Sequence, residues 1–136
     1  MIKRLVAISL PLLLVLTACS SQTDAEAALC DNIDSLDASI QALKDVNVVQ
    51  DGTDALKSSV EDLKDQLKAV ADSATDVLRP DVDAIGSALD SIQASIQNVA
   101  DGSPIVDEAV NISTGLVELK QAGEGLVETA KSQDCG

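Results

Sequence analysis

A chain of 136 residues with no histidine and no aromatic side chain, and with 23 acidic against nine basic residues, excludes several functions before any motif is read. Its net charge of −14 repels phosphate backbones and anionic headgroups, so nucleic acid is not an expected partner. Without imidazole the commonest general base and metal ligand is missing, and any core has to be aliphatic.

The chain starts with a targeting pattern. Lys3 and Arg4 precede an apolar run, residues 5–16, interrupted only by Ser9 and Pro11. That run is too short to cross a bilayer core, which takes about 20 apolar residues. A short apolar run behind basic residues is the pattern of a secretory signal. It closes on Leu16-Thr17-Ala18-Cys19, which resembles the lipobox of bacterial lipoproteins: an aliphatic residue, two small ones, then cysteine. The resemblance covers this leader only. It implies that residues 1–18 are removed as a signal peptide and that the Cys19 thiol carries a diacylglycerol. Residues 19–24 would then be a lipidated cysteine and polar tether on an exported protein, held to the cell membrane and facing outside the cytoplasm. The remaining chain keeps seven basic residues against the 23 acidic ones, a balance of −16.

Beyond the tether, residues 25–136 form one helical domain. Leu29, Ile33, Leu36, Ile40 and Leu43 step by four and three. Leu56, Val60, Leu63, Leu67, Val70, Ala74 and Val77 repeat that spacing, as do Leu78, Val82, Ile85, Leu89, Ile92, Ile96 and Val99. Ile105, Ala109, Ile112, Leu116, Leu119, Gly123, Leu126 and Ala130 complete the set. A mean period of 3.5 is the seam of supercoiling helices, and no period of two appears, so the fold class is all-α. Residues 47–52, with an Asn and an Asp-Gly pair, read as a turn. At Asp101-Gly102-Ser103-Pro104, Gly ends one helix, Ser caps the next and Pro opens it. The recurrence of Ser39-Ile40-Gln41-Ala42 as Ser91-Ile92-Gln93-Ala94 suggests two αα-hairpins, roughly 25–79 and 80–135. Ala28, Ala38, Ala42, Ala88 and Ser95 are small enough to let helices approach closely.

With Cys19 lipidated, Cys30 and Cys135 remain. Outside the cytoplasm disulfides persist, so these two are expected to be bonded. Their bond bears on architecture. At 1.5 Å per residue, a single middle helix over 52–100, kinked near Pro80, would be about 72 Å long. A last helix over 104–135 then runs back about 46 Å and brings Cys135 level with Cys30. In a compact up-down four-helix bundle, Cys135 would overshoot Cys30 by more than about 20 Å unless the last helix stops early. The expectation is therefore an elongated coiled-coil-like rod, with the compact bundle as the alternative.

Candidate chemistry is sparse. No histidine can activate a nucleophile, and no calcium loop is present. Asp62 with Asp65, and Asp81 with Asp83, read as solvated surface. Gly115, Gly123 and Gly125 lie within a helical run and either loosen it or permit close packing. Val106, Val110, Val117 and Val127 widen the apolar surface of the last helix and form a possible contact face. No enzyme, cofactor or metal site is expected. The function expected is that of a membrane-anchored spacer, scaffold or protein-interaction module of the bacterial cell envelope, with an envelope protein as possible partner. The alternative is a bundle that holds a lipid or a small apolar ligand. In composition the chain is similar to small helical lipoproteins of high-GC Gram-positive bacteria, which implies a location rather than an activity. The murein lipoprotein also joins a lipobox to heptads, yet this chain ends in Asp-Cys-Gly and lacks that family's terminal lysine.

Overall fold

The computed structural model describes residues 16–133 and residue 135; residues 1–15 of the expected signal peptide lie outside it. Five helices follow one another: α1 (Leu16–Leu43), α2 (Val48–Asp51), α3 (Thr53–Ser73), α4 (Arg79–Ala100) and α5 (Ile105–Lys131). Among the described residues there is no strand. The apolar seams set which faces are buried. Ile33, Leu36, Ile40 and Leu43 of α1 are at most 3 % exposed, and Leu56, Val60, Leu63 and Val70 of α3 are equally covered. In α4, Ile85, Leu89 and Ile92 are fully buried, as Ile112, Leu119 and Leu126 are in α5. Each such side chain contributes about 1.5–3 kcal/mol by leaving water. The core needs no aromatic residue because four aliphatic stripes converge on it.

Contacts among the long helices follow a cyclic order: α1 touches α3, α3 touches α4, α4 touches α5, and α5 returns to α1. Neighbours are antiparallel. Lys64 of α3 forms an ion pair with Asp90 of α4 at 2.9 Å, and Leu67 lies against Gly86. Ile92 of α4 meets Gly115 of α5, while Ile40 of α1 meets Gly123.

The long middle helix expected over 52–100 does not form. Residues 74–78 break it, and α4 folds back along α3. Asp72, Ser73, Thr75 and Asp76 are residue types with low helix propensity, and Pro80 fits the first turn of a new helix. Val77, expected in the seam, falls in this turn and is 52 % exposed, whereas Leu78 is buried.

The two cysteines nevertheless meet. Cys30 and Cys135 are bonded, with Cα atoms 5.5 Å apart. The overshoot that weighed against a folded-back chain is taken up by residues 44–52. These do not form a tight turn at the end of α1; they climb beside α5, where residues 45–49 line a groove with Ala109, Ser113 and Leu116. Within this stretch Asn47 caps α2, its Oδ1 accepting from the amides of Val49 and Gln50, both at 3.2 Å. The Asn47 amide donates back to Asp51 Oδ2 at 3.1 Å, a reciprocal cap. Val48 is thereby buried. Gly52 ends α2 and opens α3 with φ +80°, which only glycine adopts without strain.

Two further expectations shift. Residues 20–24, the expected polar tether, are helical as part of α1. Pro104 holds the position before α5, one residue earlier than read from the sequence, and Ser103 makes no side-chain cap. Of the small residues expected to line the seams, Ala88 and Ser95 are buried, whereas Ala28, Ala38 and Ala42 face solvent.

The bond from Cys30 to Cys135 closes a loop of 105 residues. The Cys135→Ser variant should lose roughly 4 kcal/mol of stability on the chain-entropy account, read as a lower urea midpoint, with a slope that rises as the freed denatured chain expands; an unmoved midpoint contradicts this role. The glycines differ from each other. A Cβ at position 115 would lie 2.6 Å from Ile92 Cγ1, and one at 123 would lie 3.0 Å from Ile40 Cδ1, the free end of that side chain. Overpacking costs about 1–3 kcal/mol, against about 1 kcal/mol gained in helix propensity. Gly115→Ala should therefore destabilise by roughly 1–2 kcal/mol, while Gly123→Ala should stay near neutral. Equal effects in the same denaturation series would contradict this assignment.

Candidate interaction surface

Helix α5 is the element around which exposed and buried features divide. Its core stripe faces α4 and α1, and the glycines let both neighbours come close. One step around the helix, Val106, Val110 and Val117 are 66 %, 68 % and 54 % exposed. Val127, expected with them, is half-buried against the core instead. α1 flanks α5 near Val127 and up to the level of Val117; beside Ala109 and Ser113 its place is taken by residues 45–49. Val49 of α2 is 56 % exposed and adds to the same apolar area.

A groove runs between α5 on one side and α1 with α2 on the other. Its upper part holds about 390 Å³ and is lined by Val46, Val48, Val49, Ala109, Ser113 and Leu116. It continues past Ile40 and Val117 to Lys120, then past Gln41 to Val127 and Lys131. The floor is aliphatic and the rim mixes Lys44, Lys120 and Lys131 with Asp37, Asp45 and Glu128. Lys120 also reaches Glu124 at 3.8 Å.

One buried carboxylate escaped the reading of the sequence. Glu108, in the first turn of α5, is only 9 % exposed. Its Oε1 accepts from Asn98 Nδ2 at 3.4 Å and its Oε2 from Asn111 Nδ2 at 3.2 Å. The contact to Asn98 ties the end of α4 to the start of α5 across the 101–104 turn, and a negative charge in a first turn complements the helix dipole. The signal was present in the spacing, since Glu108 falls three residues after Ile105 and four before Ile112, on the buried face. The amide of Asn111, the first residue of an Asn-Ile-Ser sequon, is engaged by this contact.

The paired carboxylates do not converge. Asp62, Asp65 and Asp83 are exposed and Asp81 is half-buried near Gly125. Among the described residues, no group of three or more Cys, Asp or Glu is placed to hold a metal ion, and no described helix is long and apolar enough to cross a membrane. Cys19 lies in the opening turns of α1, fourteen residues before the buried Ile33.

Comparison of the chain with protein families, with curated proteins and with solved structures gives no match. The surface is therefore read from its own geometry.

Glu108→Ala removes two side-chain hydrogen bonds, to Asn98 and Asn111, whose exposed amides can turn to water, so it should destabilise by about 0.5–1.5 kcal/mol, with Glu108→Gln in between. Thermal unfolding of the two variants beside the parent checks this, and an Ala variant as stable as the parent refutes the bracing role.

Proposed function

We propose that this protein is an exported lipoprotein, fastened to a cell membrane through Cys19 and serving as a helical spacer or interaction module in the bacterial envelope. The observation that carries this reading is the run Leu16-Thr17-Ala18-Cys19 behind a short apolar segment and two basic residues. A second feature supports it: Cys30 and Cys135 are bonded, and such bonds persist in oxidising compartments outside the cytoplasm.

Helix α1 gives the reading a physical form. From Cys19 to Ile33 the helix advances about 21 Å, and residues 25–28 of this stretch are exposed. With acyl chains on Cys19, each buried CH₂ contributing about 0.8 kcal/mol, this stem would hold the core off the bilayer. The acidic surface would be repelled by anionic headgroups and would keep it there. The valine-bearing start of α5 then lies at the end farther from the lipid.

Cys19→Ala should abolish fatty-acid labelling and move the protein from the membrane fraction to the soluble one. Labelled, membrane-bound Cys19→Ala protein would refute the anchor.

A further inference from the structure

We infer that residues 44–52 form a strap that swings off the upper half of α5 and back as one unit, with the rest of the bundle staying folded and whether or not Cys19 is lipidated.

Little fastens the strap. Asp45 and Val46 donate their amides to the Ala42 and Leu43 carbonyls at the end of α1, Gln50 and Asp51 donate to the Asn47 carbonyl, and Gly52 donates to that of Val48. The reciprocal cap of Asn47 and Asp51 closes within the same segment. Among the described residues, no hydrogen bond or ion pair joins the strap to α5. What holds it down is apolar: Val48, buried, and Val46, half-buried against the core. Asp45, Asn47, Val49, Gln50 and Asp51 are exposed. Each long helix, by contrast, is pinned by a whole stripe of buried aliphatic side chains. A segment with so few buried contacts opens at a free energy well below that of the whole domain.

The segment is also long enough to move. Ile40 lies against Gly123, Ile92 lies against Gly115, and Lys64 pairs with Asp90. Counted along the helices from these contacts, α3 begins about 20 Å above the end of α1. Residues 44–52 reach about 30 Å when extended, and the surplus is wound into α2 and its cap. Unwound, they span the same gap with α1 and α3 left in place.

Opening changes what α5 presents. Closed, the strap walls one side of the groove over Ala109, Ser113 and Leu116. Open, these three become continuous with the exposed Val106, Val110 and Val117. The strap thus gates the apolar face: a narrow stripe when shut, the broad upper half of the helix when open.

Hydrogen exchange on the full chain, its disulfide intact and urea kept below the unfolding transition, tests the strap. The amides of Gln50, Asp51 and Gly52 should share one protection factor that urea does not change, at least about a hundredfold below those of Leu63 and Leu89 in the core. Val48→Ala should lower all three together, roughly tenfold, by removing two buried carbons. Ile85→Val, in the lower half of α4, should lower core protection several-fold and leave the three unchanged. Ala109→Cys, behind the strap, should react with a maleimide roughly tenfold faster when Val48→Ala is added, whereas Val106→Cys reacts equally in both backgrounds. Three results overturn the inference: strap amides that exchange with the core at the same protection and urea slope, strap amides that respond to Val48→Ala singly instead of together, or labelling of Ala109→Cys that Val48→Ala does not change.

Discussion

The covalent link between Cys30 and Cys135 sets the level of the first helix against the last. Ile40 must then face Gly123, and α1 runs out of buried positions at Leu43, well below the start of α5. The upper part of α5 would lose its neighbour on that side if the chain turned at once into α3. Residues 44–52 fill the gap with α2, capped at Asn47 and pinned by Val48. The wide groove, the exposed valines and the exposed lower stem of α1 all follow from this offset.

Close packing without aromatic rings is the second constraint. Aliphatic side chains reach less far than Phe or Trp, so the helices must come nearer to one another to exclude water. Gly115 and Gly123 permit this at the two faces of α5, and in each case an isoleucine enters. These are Ile92 and Ile40, the equivalent residues of the repeated Ser-Ile-Gln-Ala motif. The repeat thus corresponds to one packing solution used on both sides of α5.

Much of the fold was legible in the spacing of apolar residues. The helical segments, nearly all of their buried positions and the cysteine pair could be read from the linear pattern, because heptad periodicity and cysteine arithmetic are local or global properties of sequence. The break at 74–78 was harder. There the periodicity persists through Ala74 and Val77 while Ser, Thr and Asp favour a turn, and only the contacts of α4 with α3 decide between them. Helix α2 was read as a turn because Asn and Asp-Gly mark turns and caps alike. The burial of Glu108 was missed because a carboxylate in an acidic chain reads as surface; it is bonded to two asparagines, one of them ten residues away. The contact face was legible in part. Four valines were visible, but which of them α1 covers depends on helix level, a tertiary quantity.

The loop closed by the disulfide also governs what survives a cut backbone. The turns at 74–78 and 101–104 both lie inside it and bear exposed residues such as Val77, Asp101 and Gly102. A protease that nicks either turn leaves both fragments joined through sulfur to α1. A single cleavage therefore nicks the domain without shedding any part of it; separating the two fragments requires a reductant, and shedding a piece requires a second cut.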